Sequence, residues 1–169
     1  MYVITLMMFL ASIDPSRSVR IKEERIAVAY PNPVNTEKAQ LVRQEVGNVY
    51  VYRIKIGMRF VSEAYDDIAT FRWSPDGQHF FFIAIEKNGQ KRVVQDGRVH
   101  QYAFDLIGQI QFSNKNNQLV YLGFLSAPDP QKSHIVVVLD GLTINVFSEV
   151  TSLFFDKNDN LICEGKNFD

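Results

Sequence analysis

The sequence is poor in residues that build covalent and metal-bound scaffolds. Its 169 residues include one cysteine, Cys163, one tryptophan, Trp73, and three histidines. A single cysteine excludes an intramolecular disulfide and a metal site made of several thiolates. The formal net charge is −1, so the chain has no global field that would attract nucleic acid or a membrane surface. From this charge we expect no nucleic-acid partner. The apolar segment Tyr2–Leu10 is too short to cross a bilayer, so we also expect no membrane span.

Recognisable catalytic signatures are also missing. The sequence has no Gly-x-Ser-x-Gly elbow, no His-Glu-x-x-His pair, no Walker loop and no dinucleotide fingerprint. The histidines His79, His100 and His134 fall at different points of the strand pattern, whereas the ligands of a shared metal site must converge. We interpret each as a surface or hydrogen-bonded histidine. The sequence therefore predicts a non-catalytic protein with no cofactor and no metal, and it identifies no partner-binding residue.

Two acidic stretches match functional sites only in part. Asp156–Asn160 has oxygen side chains at alternating positions, as a calcium loop does, but it lacks the glycine and the late glutamate of such a loop. We interpret it as a plain turn. Asp66 and Asp67 are neighbours on an extended chain, so they would point to opposite faces and could not act as an acid/base pair. Cys163 lies in an apolar strand and is expected to be an inert thiol.

What the sequence has in quantity is apolar and aromatic residues. The hydrophobic fraction is 46%, and the 13 Phe and 7 Tyr favour β structure. The length suits a single domain over residues 1–169. Tyr2–Leu10 has the composition of a buried strand, with a remnant export signal as the alternative. The compartment stays open, and the lack of a positively charged stretch before this segment favours the cytoplasm.

Short apolar runs separated by turn residues recur along most of the chain. The repeat is marked by turn glycines and by aromatic residues at strand ends, namely Gly57, Gly97 and Gly141, and Trp73, Phe112 and Phe155. Each set advances by about 40 residues per unit, and each unit holds four short strands. Ser74–Gly77, Asp96–Gly97 and Asp140–Gly141 have the residues that tight turns require. This period favours the blades of a propeller over a sandwich.

The segment before the clear repeats is predicted to be helical. Asn35 or Thr36 can cap a helix that continues to Val46, and Gly47 can end it in a left-handed conformation. The predicted fold is an all-β partial or small β-propeller of about three and a half four-stranded blades, with one short helix inserted at residues 35–46. Residues 1–48 would form a divergent first blade, and residues 49–165 would form the recognisable repeats.

The repeat resembles a known family. Trp73–Gly77 followed by Phe80–Ala84 is similar to the WD40-like PD40 repeat of TolB-type β-propellers, and so is Val93–Gly97 followed by Phe104–Ile107. The resemblance covers roughly residues 49–165. It implies blades that serve as protein-binding platforms, ligand cradles or gates of peptidases. The Gly-His and Trp-Asp dipeptides of true WD40 repeats are missing, so the partners of those repeats are not implied.

An arc of this length would leave strand edges uncovered, because propellers typically have four to eight blades. Three arrangements stay open. Tyr2–Leu10 could complete the last blade and close a small ring, or two chains could join into a larger ring. In the third arrangement the chain is a fragment or an open form, with the helix at one end.

The expected function is a non-catalytic protein-interaction module. We expect Trp73 to be core, and we place contacts with a protein partner on the loops Ser126–Lys132 and Pro31–Asn35. Self-association through blade edges is the other way in which such a module would meet a partner. The alternative functions are a propeller segment that gates a prolyl-oligopeptidase-like serine peptidase and a propeller that binds a small ligand.

Overall fold

The chain folds into antiparallel β-sheets that follow one another along the sequence. The computed structural model describes residues 21–128 and 133–168, so the predicted strand Tyr2–Leu10 and part of the Ser126–Lys132 loop lie outside the described residues. Sheet 1 comprises β1 (Ile21–Pro31), β2 (Lys38–Val46), β3 (Val49–Ile56) and β4 (Arg59–Phe60). Sheet 2 comprises β5 (Asp67–Trp73), β6 (Phe80–Ile85), β7 (Lys91–Gln95) and β8 (Arg98–Val99). Sheet 3 comprises β9 (Leu106–Phe112), β10 (Leu119–Leu125), β11 (His134–Leu139) and β12 (Leu142–Phe147), and sheet 4 comprises β13 (Glu149–Phe155) and β14 (Leu161–Lys166).

Within each sheet, strands that are consecutive in the sequence are hydrogen-bonded neighbours. This order arises because each connection within a sheet is a hairpin, and a hairpin can join only antiparallel strands. The all-β class predicted from the sequence is confirmed for the described residues. They include no helix, and therefore none with the length and apolar character needed to cross a membrane.

The helix predicted at residues 35–46 is wrong. Lys38–Val46 is strand β2, which pairs with β1 on one side and with β3 on the other. Ala39 and Leu41 face sheet 2, while Val42 is buried on the opposite face. Burial on both faces hides the alternation that an amphipathic strand would show, and the same apolar residues also satisfy a helical spacing.

The predicted end of that helix is a hairpin turn. Gly47, with φ of 65°, and Asn48 form a two-residue turn between Val46 and Val49, which are paired. A Gly-Asn pair between two apolar runs is a hairpin signal in its own right. Pairing with the alternating strand after the turn therefore decides the structure of β2, and local helix propensity does not.

The third turn of each complete sheet explains the sequence repeat, with one shift in register. Both residues of Asp96–Gly97 have positive φ, and so do both residues of Asp140–Gly141, as a type I′ hairpin turn requires. The matching turn of sheet 1 is Gly57–Met58, in which only the glycine has positive φ, as in a type II′ turn. Glycine is thus the first turn residue in sheet 1 and the second in sheets 2 and 3. The predicted alignment of the three turn glycines is off by one residue.

The core lies in three layers between neighbouring sheets. In β6, Phe80, Phe82 and Ala84 pack toward sheet 1, whereas Phe81 and Ile83 pack toward sheet 3. β10 is divided in the same way between sheets 2 and 4. The second strands of sheets 2 and 3 are consequently continuous apolar runs, as expected for strands that are buried on both faces.

The first hairpin turns of the four sheets are hydrogen-bonded to one another along one edge, and we call this row the turn ladder. The first turn residue is equivalent in all four, because each donates its backbone N–H across its own turn: Asn32, Ser74, Ser113 and Asp156. Asn32 Nδ2 donates to the carbonyl of Gly77 at 2.7 Å, which joins sheet 1 to sheet 2. Asn117 Nδ2 donates to Asp76 Oδ2 at 2.6 Å, which joins sheet 3 to sheet 2.

Sheet 4 is joined to the turn ladder by Asp159. Its carboxylate accepts hydrogen bonds from the backbone N–H groups of Asn114 at 2.9 Å, Lys115 at 2.8 Å and Asn116 at 3.0 Å. Three successive N–H groups form a concave anion-binding arrangement, and here a side chain of the chain itself fills it. The ladder therefore adds polar contacts to the apolar layers between the sheets.

Candidate functional site

The first candidate site is an apolar pocket where the first turn of sheet 1 meets the end of β5. The pocket has a volume of about 300 Å³ and is lined by Tyr30, Pro31, Pro33, Phe71, Arg72 and Trp73. We call it the aromatic pocket. Its walls are mainly rings, and the guanidinium group of Arg72 is its charged group. Arg72 forms no ion pair with any of the residues that the structure describes.

The rings of the aromatic pocket are held in a fixed order. The rings of Tyr30 and Phe71 are stacked with centroids 5.0 Å apart, and Trp73 meets Phe71 edge-on at 5.4 Å. Both arrangements are favoured by the quadrupoles of aromatic rings. The indole N–H of Trp73 donates to the backbone carbonyl of Tyr30 at 3.1 Å. The walls of the pocket are thus held in place by contacts within the chain itself.

Trp73 has two roles at once. It packs against the core layer between sheets 1 and 2, as we predicted, but it is only half-buried, and its remaining surface lines the pocket. The interpretation of Trp73 as core is therefore incomplete. In the structure Trp73 lies next to the predicted Pro31–Asn35 loop, although the two are far apart in the sequence.

The Pro31–Asn35 loop is held rigidly by a buried side chain. Asn32 Oδ1 accepts hydrogen bonds from the backbone N–H groups of Val34 at 2.9 Å and Asn35 at 3.3 Å. The loop also packs closely against the turn at Gly77, since a Cβ on Gly77 would lie 2.9 Å from Cγ of Asn32. Pro31 and Pro33 are therefore presented on a braced turn, which lowers the entropic cost of binding there.

Sequence reasoning missed Tyr30 and Phe71 as pocket residues. Tyr30 lies directly before Pro31, and Phe71 is two residues before Trp73 on the same face of β5. They could have been identified only by recognising that sheet 1 packs on sheet 2. That packing was missed because residues 35–46 were assigned to a helix.

A second, polar cleft lies between sheets 2 and 3. It has a volume of about 540 Å³ and is lined by Gln95, Asp96, Arg98, His100 and Asp140. The two carboxylates already have structural roles. Asp96 Oδ1 accepts from the backbone N–H of Phe80 at 2.9 Å, and Asp140 Oδ1 accepts from that of Leu119 at 2.8 Å. Each aspartate thus anchors its hairpin turn to the second strand of its own sheet.

His100 is the most enclosed of the three histidines. Its ring stacks on Tyr121 at 5.8 Å, and its Nδ1 lies 3.2 Å from the hydroxyl of that fully buried tyrosine. Burial lowers the pKa of His100, and the nearby charge of Asp140 opposes this shift only in part. Burial also raises the pKa of Tyr121, so its hydroxyl stays neutral and can donate to the neutral imidazole.

The other two histidines have different contact partners from His100. His79 Nδ1 is 2.8 Å from Asp96 Oδ2, and the ring of His134 meets that of Phe168 edge-on at 4.7 Å. Within residues 21–128 and 133–168, no three histidine, cysteine or acidic side chains are close enough to hold a metal ion. Each histidine is thus placed in a separate local contact.

The acidic stretches bond to backbone amides. Asp156–Asn160 forms the turn between β13 and β14, where Asp156 Oδ1 accepts from the backbone N–H groups of Asn158 at 2.7 Å and Asn160 at 2.9 Å. Asp67 Oδ1 accepts from the N–H of Ile68 at 2.8 Å, next to an exposed Asp66. The carboxylates are therefore used to hold turns and a strand end.

The remaining predicted positions are a thiol and a loop. Cys163 is half-buried in the layer between sheets 3 and 4, and burial, with a smaller contribution from Glu164, raises the pKa of its thiol. Such a thiol is a poor nucleophile. In the described part of the Ser126–Lys132 loop, the N–H of Ser126 donates to Asp105 Oδ2 at 2.7 Å. Comparisons of the chain with protein-family models and with curated proteins find no match.

Proposed function

We propose that the chain is a β-propeller-type, non-catalytic protein-interaction module and that its aromatic pocket takes a segment of a protein partner. Support for propeller blades comes from three consecutive four-stranded meanders and a two-stranded one, packed face to face in chain order. The main support for binding is that Trp73 is half-exposed and lines a preformed pocket of aromatic rings and prolines. Tryptophan and tyrosine in such settings are the residues that most often dominate binding energy.

The chemistry of the pocket favours an extended, proline-containing segment that carries a carboxylate. Grooves lined by aromatic rings accept polyproline II segments, which lose little entropy on binding because they are already extended. A volume of about 300 Å³ suits one or two side chains. Arg72, which lacks an ion-pair partner in the described part of the chain, would bind the carboxylate.

The proposal can be tested through the fluorescence of Trp73, the single tryptophan of the chain. The probes are two blocked Pro-Leu-Pro peptides, one flanked by glutamates and one flanked by lysines. We expect the glutamate-flanked peptide to shift the emission of Trp73 at saturable concentrations. Arg72→Gln should weaken its binding about three- to tenfold, because it removes one partly exposed charged contact.

Arg98→Gln is the matched control, since it removes an arginine from the polar cleft and should leave peptide binding unchanged. If neither peptide perturbs Trp73, or if the two peptides bind equally well, the proposed chemistry of the pocket is wrong.

A small-ligand function is a second candidate because of the polar cleft. Arg98 has no ion-pair partner among the described residues, and it lines the same cleft as Asp140. A ligand with both a carboxylate and an amine would complement that pair of charges. Free amino acids at saturating concentration should then raise the unfolding temperature, whereas the absence of any shift would dismiss this candidate.

A further inference from the structure

In the described part of the chain, strand β14 is an edge strand of the two-stranded sheet 4. By position in its sheet it corresponds to β2, β6 and β10, each of which has a neighbour on both sides. Among the described residues, β14 pairs with β13 alone. Within that part of the chain, the backbone groups along the other edge of Leu161–Lys166 have no partner strand. An open edge of this kind is a template for pairing with a second chain.

The side chains of β14 alternate between two environments. Leu161 and Cys163 pack in the layer toward sheet 3, and a Cβ at Gly165 would lie 2.9 Å from the ring of Phe147 in sheet 3. Because successive residues of a strand point to opposite faces, Glu164 and Lys166 point away from sheet 3. Both are exposed, and both are charged.

The two charges are already ordered on this outer face. Glu164 Oε2 accepts from the hydroxyl of Ser152 at 2.8 Å, and Lys166 Nζ lies 2.5 Å from Glu149 Oε2. The partners Ser152 and Glu149 both belong to β13. Both side chains are therefore ordered by β13, and each would have to share or exchange its present partner when it pairs with a second strand.

The charge pattern selects one antiparallel register for two copies of β14. A two-fold axis at Gly165 places Glu164 opposite Lys166 of the second copy, and the symmetry produces this pair twice. A two-fold axis at Glu164 would place that glutamate opposite its own copy, which is unfavourable. The axis at Gly165 also has no side chain in the way. In this register Glu164–Lys166 of one strand faces Glu164–Lys166 of the other, and the charges in that segment are complementary.

We propose that the open edge of β14 pairs with β14 of a second copy of this chain, about a two-fold axis at Gly165. The resulting sheet has the order β13, β14, β14 and β13, and it therefore reaches the four strands of sheets 1 to 3. A two-fold axis closes the assembly at a dimer. Because the interface is one strand pair and so is small, the dimer dissociates on dilution.

Sedimentation of the wild-type chain over a concentration series tests the proposal, with charge swaps as the specific probe. Glu164→Lys alone and Lys166→Glu alone should each be monomeric, because like charges then face each other across the axis. A mixture of these two variants should form heterodimers. The double swap, Glu164→Lys with Lys166→Glu, should restore the homodimer.

Lys157→Glu is the control, since it makes the same change in charge on the exposed turn of sheet 4 and should leave the dimer intact. A wild-type mass that stays monomeric up to about 1 mM overturns the proposal. So does a dimer that survives the single swaps, a mixture that stays monomeric, or growth beyond a dimer. Arg72→Gln should not alter the mass, so the test of the aromatic pocket and this test can fail separately.

Discussion

The substitution Gly123→Ala addresses a close packing contact between β10 and Phe104, which lies in the segment connecting sheets 2 and 3. Gly123 lies in the middle of β10, and the ring of the buried Phe104 lies directly over it. A Cβ on Gly123 would be 2.5 Å from Cζ of Phe104 and closer still to Cδ1 and Cε1. The alanine therefore cannot be accommodated unless the ring moves.

The size of the effect follows from that geometry. Carbon atoms in good contact are about 3.5 to 4.0 Å apart, so the ring must move by about 1 Å. Overpacking of this kind destabilises the folded chain by about 1–3 kcal/mol. Replacing glycine by alanine also restricts the unfolded chain, which offsets part of this loss of stability. We expect a net loss of about 1–2 kcal/mol, and the unfolding temperature of a chain of this size should then fall by about 2–8 °C.

The assay is urea unfolding, with calorimetry for the unfolding temperature. Gly108→Ala is the matched control, because Gly108 is also a strand glycine beneath a phenylalanine ring but its Cβ would be 3.3 Å from Phe124 Cε2. Its effect should be within about 0.5 kcal/mol of zero. In a Phe104→Leu background the cost of Gly123→Ala should largely vanish, as expected for directly coupled residues. A stable Gly123→Ala variant, or a cost that persists in that background, would refute the packing explanation.

Two further predictions concern pH. Burial lowers the pKa of His100 in the folded chain, so below about pH 6.5 the unfolded chain binds a proton that the folded chain does not. The free energy of unfolding therefore decreases as the pH is lowered through this range. His100→Gln should remove this pH dependence from the unfolding temperature. Burial alone would raise the pKa of Asp159, but the backbone N–H groups of Lys115, Asn114 and Asn116 hold it below its ordinary value. Its contribution is present above the pKa of the unfolded chain and is lost as the pH falls through the folded pKa. Asp159→Asn should therefore destabilise the chain at pH 7 and flatten the acid side of the profile, and equal acid slopes in urea unfolding would contradict this reasoning.

The repeat was predictable from the sequence because local chemistry determines the turns. Asp96–Gly97 and Asp140–Gly141 are residues that a type I′ turn needs, and the short apolar runs bounded by such turns favour strands. The register of sheet 1 was less predictable. Gly57 has an apolar residue on each side, Ile56 and Met58, so its neighbours do not show whether it is the first or the second turn residue.

The structure of β2 and the aromatic pocket depend on contacts between distant residues. Residues 38–46 satisfy a helical spacing and a buried strand equally well, and pairing with β1 and β3 decides between them. Tyr30 and Phe71 meet only because sheet 1 packs on sheet 2. In a single sequence, nothing local distinguishes such a ring from an ordinary core aromatic residue.

The serial packing of the sheets also determines how far a disturbance travels. Phe81 and Phe82 are consecutive residues, yet they belong to different interfaces, so each interface is linked to the next only through the strands of one sheet. Stability in such an array is a sum of nearest-neighbour contributions. Fraying of sheet 4 would remove its contacts with sheet 3 and leave the interface between sheets 1 and 2 intact. The aromatic pocket, which lies between sheets 1 and 2, would therefore keep its shape while sheet 4 opens and closes.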